Sequence, residues 1–352
     1  MNDLSRLLIA ALVVATTSAS AAQLSAIGVS WEIENTEGFG FVTAAARCGD
    51  TLLLGDGRKQ LVHRYDIGTQ RSLPPFDVGP MLGLTAECAS STLYVVSVTA
   101  DGNAGLVKQL DLDSGAQRAD FPLPPTFAPR SAVWTDSNAV MIGGLWEPSE
   151  GDSDAFYEGR SLALRLSLDT GATEPTLPAY ELSCPEGFWC SQVRAHGSRR
   201  AGGGNRIAAL PLSTDVGIYA GNQLPRRVSV ASPQLLRDGS RPQPGMSGAD
   251  FVEWTATNAT LDGVFAFAGG FAVEHRSSAL EVREPGGPIP KRVHVSTYGW
   301  DGVAKRIDIP VPGPIIGVGD GMLYTVDDND ASGSHIGSTR IRVVELPLDE
   351  LR

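Results

Sequence analysis

Acidic side chains recur directly after the second strand that the sequence predicts in each of several repeats. They are Asp56, Asp101, Glu147, Asp215, Glu274 and Asp327. If the repeats are arranged in a ring, we expect these carboxylates to surround one mouth of it, where their oxygen atoms can hold a cation. The competing interpretation is that each side chain accepts hydrogen bonds from the backbone N–H groups of the turn after its strand.

The densest acidic segment is Asp327-Asp328-Asn329-Asp330. Its oxygen ligands suit calcium better than zinc, so Asp327, Asp328 and Asp330 are the candidate metal ligands and calcium is the candidate cofactor. The segment lacks the Gly and the distal Glu of a calcium-binding loop. A turn without any cofactor therefore remains the alternative.

The five histidines show no spacing typical of a catalytic or metal-binding pair. His63 and His294 fall inside predicted outer strands, where we expect packing or solvation. His196, on a predicted inner strand, and His275, beside Glu274, are the two that we expect to face a channel. Either one acts as a general base only if a carboxylate lies within hydrogen-bond distance.

Tryptophans are spaced about one per repeat, as packing between neighbouring repeats requires. Trp146, beside Glu147, and Trp189 fall in predicted loops, where an indole ring can stack on a sugar or a peptide. Together with the two histidines that we expect to face the channel, they give the predicted ligand-binding residues: Trp146, Glu147, Trp189, His196 and His275.

The four cysteines are expected to form two disulfides, because the chain carries an export signal and no Cys-x-x-Cys pattern indicates zinc. Three pairings are possible. Cys48 and Cys88 occupy the same place in consecutive repeats, and Cys184 and Cys190 can close a short loop. Of the three possible pairings, Cys48 with Cys88 and Cys184 with Cys190 requires the least movement of the backbone.

Several kinds of chemistry have no support in the sequence. It contains no Gly-x-Ser-x-Gly nucleophile motif, no Gly-x-Gly-x-x-Gly run before a helix and no phosphate-binding loop. The net charge of −12 argues against nucleic acid as a partner. Two function classes remain: a non-enzymatic module that binds a protein, peptide or glycan, and a metal-assisted hydrolase or lactonase-like enzyme.

The elements that must position these residues are predicted to be strands. The 40 Gly and 23 Pro leave little room for long helices, and Leu162, Leu164, Leu166 and Leu168 alternate with other residues as in a strand with one buried face. Six turns are predicted, each read as the outer hairpin of one repeat. They lie at Tyr65–Gly68, Leu110–Gly115, Leu166–Gly171, Val228–Val230, Tyr298–Gly302 and Val344–Pro347.

Two pairs of segments carry a family resemblance. The segment Asp50–Asp56 followed by Leu61–Asp66, and Met322–Asp327 followed by Arg340–Leu346, resemble blades of the six-bladed β-propellers of the NHL and YWTD kind. The resemblance implies an all-β ring of six four-stranded sheets around a central channel, with binding at one mouth. It implies no particular activity, because this fold carries many functions.

The last repeat lacks room for a fourth strand, while residues 27–33 precede the first repeat without a partner. We therefore expect the N-terminal strand to complete the last blade and so to close the ring.

Residues 1–22 have the pattern of a cleaved signal peptide, with Arg6, an apolar run and the small residues Ala19-Ser20-Ala21. We expect residues 23–352 to form a single domain, located in the periplasm or secreted, that does not insert into a membrane after cleavage. A composition rich in Ala, Gly and Arg is typical of a bacterial protein.

Overall fold

The computed structural model describes residues 29–98, 105–136, 138–146, 157–181, 193–197, 204–210, 212–232, 246–279, 291–319, 321–327 and 337–348. The predicted signal peptide lies outside these residues. The strands form six antiparallel four-stranded sheets. Innermost strands of successive sheets contact each other in a closed cycle. The chain is therefore a six-bladed β-propeller, as the sequence predicted.

The first three blades follow the chain, from the innermost to the outermost strand. Blade 1 contains β2 (Val42–Cys48), β3 (Thr51–Asp56), β4 (Leu61–Asp66) and β5 (Arg71–Asp77). Blade 2 contains β6 (Gly83–Glu87), β7 (Thr92–Val98), β8 (Gly105–Asp111) and β9 (Gln117–Pro122). Blade 3 contains β10 (Phe127–Asp136), β11 (Ala139–Trp146), β12 (Ser161–Ser167) and β13 (Thr173–Pro178).

The next two blades repeat this order, and the last does not. Blade 4 contains β14 (Arg194–Gly197), β15 (Asn205–Ala209), β16 (Asp215–Ala220) and β17 (Arg226–Ser229). Blade 5 contains β18 (Thr260–Phe267), β19 (Gly270–Ser278), β20 (Lys291–Gly299) and β21 (Ala304–Val311). Blade 6 contains β22 (Ile315–Gly319), β23 (Met322–Asp327), β24 (Arg340–Pro347) and, outermost, β1 (Val29–Glu34).

The N-terminal strand β1 closes the ring, which confirms the predicted closure. It pairs antiparallel with β24, with Trp31 opposite Val343 and Ile33 opposite Ile341. Trp31 and Ile33 are buried in the interface between blades 6 and 1. The closing strand therefore adds both a ladder of hydrogen bonds and part of an apolar core.

The hydrophobic core consists of six clusters, each lying between two successive blades. In β3, Leu52 and Leu54 pack toward blade 6, whereas Leu53 packs toward blade 2. The same holds in β12, where Leu164 and Ala163 belong to clusters on opposite sides of the blade. The strand predicted from the alternating leucines is therefore confirmed, but the expectation of one buried face was wrong, since a blade between two neighbours buries residues on both faces.

Four of the six predicted hairpins join the third and fourth strands of blades 1, 2, 3 and 5. In two of these turns Gly115 and Gly171 have positive φ angles, which glycine adopts without strain. The predicted turn at Val228–Val230 was wrong, because Val228 lies in β17 and the turn precedes it at 221–225. Val344–Pro347 was also wrong, because these residues belong to β24, whose outer partner comes from the N-terminus.

Among the described residues there is one α-helix, α1 (Gly248–Thr257), in the connection from blade 4 to blade 5. Ser247 caps it, and Ser247 and Asp250 form a reciprocal capping box. The helix packs on β19. No helix in the described part of the chain is long and apolar enough to cross a membrane.

The predicted disulfide between Cys48 and Cys88 is present, with the two Cα atoms 5.3 Å apart. It joins the end of β2 to the residue after β6, so it links blade 1 to blade 2. Cys184 and Cys190 lie outside the described residues, and their pairing stays a prediction.

The two sides of the ring differ in how the chain connects its strands. We call the side at which the inner strands begin the entry face, and the side at which they end the exit face. The outermost strand of one blade ends, and the innermost strand of the next begins, at the entry face, and α1 lies between blades 4 and 5 in the chain. On the exit face, inner and second strands are joined by short turns such as 49–50 and 268–269. Variable loops that can carry a binding site therefore concentrate on the entry face.

We expect a chain that begins at Thr36 to be less stable than the chain 23–352, because β1 and the burial of Trp31 and Ile33 are lost. Removing large buried side chains costs about 2–5 kcal/mol each, so the free energy of unfolding should fall by at least about 4 kcal/mol. Urea unfolding measures this difference. Glu32→Ala, an exposed position on β1, is the control and should change little; equal unfolding midpoints for the two chains would contradict closure by β1.

We expect the double variant Cys48→Ser/Cys88→Ser to lose about 3–4 kcal/mol of stability, because the disulfide closes a loop over a separation of 40 residues in the unfolded chain. Unfolding is compared with and without a thiol reductant. The reductant should lower the stability of the parent protein to that of the variant. Any effect of the reductant on the variant measures the contribution of a disulfide between the two remaining cysteines. A variant as stable as the oxidised parent would refute the expectation.

Candidate functional site in the central channel

The axis of the ring is an open channel of about 1260 Å³, lined by the inner strands of all six blades. Residues from both the entry end and the exit end of these strands line it, for example Phe41 and Cys88. The channel is larger than a typical small-molecule pocket of roughly 300–1,000 Å³. It can therefore accommodate an extended ligand or part of one.

Within the described residues, five ionisable side chains line the channel near its entry end and form what we call the charged cluster. Its members are Arg194, Asp262, Glu274, Arg276 and Lys291. Arg194 and Lys291 are the first residues of β14 and β20, whereas Asp262 lies near the start of β18 and the other two lie on β19. Adjacent strands of two blades thus bring together residues that are far apart in sequence.

A β-bulge places Asp262 in this cluster. The ladder between β18 and β19 pairs Leu261 with His275 and Gly263 with Glu274, so that Asp262 has no partner in the register. Bulges redirect a side chain and occur often beside functional sites. Nε of Arg276 lies 2.9 Å from Oδ2 of Asp262 and donates to Oε1 of Glu274 at 2.7 Å. The arginine thus links two carboxylates across the bulge.

Glu274 is the most deeply buried member, with only 1% of its surface exposed. Burial raises the pKa of Glu274, although the charge of Arg276 opposes this rise. Oε1 of Glu274 also accepts a hydrogen bond of 3.4 Å from the backbone N–H of Ile315. The side chain therefore connects blade 5 to the inner strand of blade 6 instead of projecting freely into the channel.

Lys291 is positioned by a chain of hydroxyl groups. Its Nζ donates to Oγ of Ser278 at 2.8 Å, and this oxygen lies 2.7 Å from Oγ1 of Thr255 on α1. Burial lowers the pKa of Lys291, while Asp262 acts in the opposite direction. The helix outside the ring therefore helps to fix a cation at the channel.

Among the described residues, Arg194 has fewer hydrogen-bond partners than Arg276 and Lys291. Its Nη2 is 3.9 Å from Oδ1 of Asp262, which is too long for a hydrogen bond. Its Nε is buried and has no hydrogen-bond partner within the described part of the chain. Arg130, near the start of β10, is close enough that burial and the charge of Arg194 lower the pKa of Arg130. Positive charge therefore accumulates where blades 3, 4 and 5 meet the channel.

His196 lines the channel, as predicted, but as a neutral and fixed ring. Its Nδ1 accepts a hydrogen bond of 3.1 Å from the backbone N–H of Ala266, and burial lowers the pKa of His196 to about 4. The ring stacks on Trp134 at a centroid distance of 5.6 Å. His196 and Trp134 form an aromatic wall below the charged cluster, and a binding role for His196 stays a prediction.

His275 lies in β19 and is fully buried, not exposed to the channel. Its Nε2 is 2.7 Å from Oδ1 of Asp308 and 3.3 Å from Oγ of Ser232. Ser232 itself donates to the same carboxylate oxygen at 2.6 Å. The carboxylate that the sequence analysis required next to a general base is thus present.

This Ser–His–Asp group does not have the geometry of a catalytic triad. In a triad the serine and the carboxylate contact different nitrogen atoms of the imidazole, whereas here both contact Nε2 of His275. Nδ1 of His275 is buried and has no partner within the described part of the chain. Burial alone would raise the pKa of Asp308, but hydrogen bonds from His275 and Ser232 lower it. The group links the end of blade 4 to blade 5.

Asp56 matches the turn interpretation of the predicted acidic residues. It is fully buried, and its carboxylate accepts hydrogen bonds from the backbone N–H groups of Gly40 at 2.6 Å, Phe41 at 2.8 Å and Lys59 at 2.9 Å. His63 Nε2 lies 3.2 Å away. Burial alone would raise the pKa of Asp56, but these hydrogen bonds lower it well below the usual range.

The other predicted acidic residues are distributed differently. Asp215 is the first residue of β16, not a residue after a second strand, and it bonds Arg227 and Ser229. Glu274 is within β19 and lines the channel. Asp101 and Glu147 lie outside the described residues.

The candidate calcium ligands are only partly within the described chain. Asp327 is the last residue of β23, and Asp328 and Asp330 lie outside the described residues. Within the described part, no three acidic, histidine or cysteine side chains come together as a metal site requires. The calcium site therefore stays a prediction.

Of the two candidate tryptophans, Trp146 is the last residue of β11 and not a loop residue as expected. It packs against Phe127 at a centroid distance of 5.9 Å. Trp189 lies outside the described residues. Binding roles for both stay predictions.

Sequence reasoning missed the charged cluster except for Glu274. Arg194, Asp262 and Lys291 span almost a hundred residues, and each lies at or near the beginning of a strand. A charged residue at this place in a strand is the signal that could have identified them, but it requires correct strand boundaries. Phe41, exposed at the entry end, was also missed.

No family model and no curated protein matches the chain. Solved structures do resemble it. A member of the DUF4221 family from Bacteroides vulgatus has a TM-score of 0.62 and 10% sequence identity, covering 90% of this chain and 96% of that one. A protein of Bacteroides fragilis that is named as exported has a TM-score of 0.52 and 9% identity, covering 91% and 94%. At these identities the likeness shows the fold alone.

We expect Asp56→Asn to lose about 1–3 kcal/mol of stability at pH 7, because buried backbone N–H groups lose a charged acceptor. The lowered pKa of Asp56 means that its contribution is present above the unfolded pKa of about 3.9 and declines as the pH falls toward the folded pKa. The stability difference between parent and variant, measured by urea unfolding, should therefore shrink below about pH 4.

The control is Asp77→Asn, an exposed carboxylate that accepts one backbone hydrogen bond from Gly79. It should change stability by less than about 0.5 kcal/mol. A stability difference for Asp56→Asn that is absent at pH 7, or that grows on acidification, would contradict the assigned role.

Proposed function

We propose that this chain is an exported, non-enzymatic binding module that holds a protein segment, peptide or glycan at the entry end of its channel. The observation that carries the proposal is the open channel itself, with an exposed aromatic ring and fixed charges at one end. Preformed concave surfaces with a few placed polar groups are the usual ligand sites of proteins.

Phe41 supplies an apolar contact at the channel mouth. It lines the channel, and 46% of its surface is exposed, which is unusual for a phenylalanine. Asp56 holds its backbone N–H at 2.8 Å. An exposed aromatic ring at a concave mouth suits stacking on a sugar ring or contact with an apolar side chain.

The arrangement of reactive groups favours binding over catalysis. In the described Ser–His–Asp group, which links blade 4 to blade 5, His275 is fully buried and the three side chains lack triad geometry. Glu274, the channel carboxylate with a raised pKa, is 1% exposed and already accepts hydrogen bonds from Arg276 and Ile315. A general acid or base must instead reach the substrate atom whose proton it transfers.

Three features support export to the periplasm or the medium. The first 22 residues predict a signal peptide. The Cys48–Cys88 disulfide is typical of an oxidising compartment. A protein with the same fold is named as exported.

We expect the labelled chain 23–352 to bind defined members of a glycan array or a peptide array, and Thr85→Trp to lose that binding. Thr85 lines the channel on β6, so an indole at this position obstructs the ligand without changing the surface of the ring. The control is Thr69→Trp, in an exposed turn between β4 and β5, which should bind as the parent does.

Binding that survives Thr85→Trp would place the ligand outside the channel and contradict the proposal. So would the absence of binding to both arrays. Turnover of a lactone or ester that depends on calcium and disappears with Asp327→Ala would instead identify the chain as a hydrolase.

A further inference from the structure

We propose that the charged cluster is an oxyanion-binding site that takes a carboxylate group of the ligand. The inference rests on the proposed function, because it names the chemistry that the channel recognises. It concerns Arg194, Arg276 and Lys291, with Asp262 and Glu274 as the carboxylates that hold them in place.

The local charge of the cluster is opposite to that of the whole chain. Three cations face two carboxylates at the channel, and Arg130 lies near Arg194. The chain as a whole has a net charge of −12. Because the chain as a whole is negative, the cations of the cluster form a local region of positive potential that can attract an anion to the channel.

The two carboxylates are already occupied, which leaves the cations as the ligand-binding groups. Arg276 Nε lies within 2.9 Å of Asp262 and donates to Glu274 at 2.7 Å. Both carboxylates therefore have a cation partner at hydrogen-bond distance. A cationic ligand would have to displace Arg276 from these carboxylates. An anionic ligand would instead balance the excess of positive charge in the cluster.

Arg194 provides the independent observation. Its Nε is buried and has no hydrogen-bond partner within the described chain, and its Nη2 stays 3.9 Å from Asp262. Leaving a buried donor without a partner costs stability. The Arg194 side chain as a whole lines the channel and is 25% exposed, so a ligand carboxylate can reach it, and a guanidinium is a favoured partner for a carboxylate.

Lys291 is a second cation that lines the channel near Asp262. Its position is set by Ser278 and Thr255, so it does not have to be ordered when a ligand binds. Burial disfavours its charged form, as it does that of Arg130, and an anion at the cluster would offset that disadvantage. The site thus combines a planar arginine with a fixed ammonium group.

The test compares ligands that differ only in charge. The probes are glucuronate against glucuronamide, N-acetylalanine against its amide, and inorganic phosphate, titrated by calorimetry or NMR at low ionic strength. We expect the acids to bind at least tenfold more tightly than their amides. The tighter of the two acids identifies a glycan or a peptide terminus as the source of the carboxylate, and tighter binding of phosphate than of both acids would overturn the assignment to carboxylate.

Variants of the cluster test the roles of its members. Arg194→Gln and Lys291→Met should each weaken binding of the acids about tenfold, which corresponds to about 1.4 kcal/mol. Asp262→Asn should instead strengthen it, because a competing negative charge is removed; a purely structural role of Asp262 would not produce that sign. The control is Arg165→Gln, a cation paired with Glu174 at 3.2 Å on the outer strands of blade 3, which should bind as the parent does.

Equal binding of acids and amides would overturn the inference, and so would unchanged affinity in Arg194→Gln with an unchanged melting temperature. If array ligands are lost in Thr85→Trp while these charge variants bind normally, the channel module is supported and the carboxylate site is refuted. If array ligands also survive in Thr85→Trp, the proposed function itself fails.

Discussion

Each blade of this ring has two apolar faces, and both can be buried only if a neighbouring blade covers each of them. Leu52, Leu53 and Leu54 show this constraint in three consecutive residues, since they pack alternately toward blade 6 and blade 2. The core is therefore a set of six interfaces between blades, and no blade is complete alone. Strand β1 supplies the last edge and part of the interface between blades 6 and 1.

The closed ring also creates the site. Because the core lies between blades, the axis remains open, and the inner strands present their first residues at one end of it. A bulge in β18 turns Asp262 into the channel, and Arg194 and Lys291 begin their strands nearby. Hydrogen bonds to Glu274 and Ser278 hold Arg276 and Lys291 in place, which would reduce the reorganisation needed for the proposed binding.

Several polar groups that resemble catalytic residues serve the architecture instead. Asp56 satisfies the backbone of the segment that carries Phe41, and Asp308 joins Ser232 to His275 between blades 4 and 5. Buried polar groups of this kind must be paired, because an unpaired one costs stability. Their shared hydrogen bonds explain why reactive residue types do not by themselves indicate an enzyme here.

The sequence alone determined the architecture, because turn residues and apolar strands recur along the chain and the N-terminal segment lacked a local partner. The equivalent positions of Cys48 and Cys88 in consecutive repeats likewise predicted their bond. Only the tertiary structure decided which side chains meet at the channel and that His275 is buried beside Asp308. The reason is physical: repeats fix neighbours within a blade, whereas the site combines residues of different blades whose meeting depends on bulges and strand ends that leave no periodic signal.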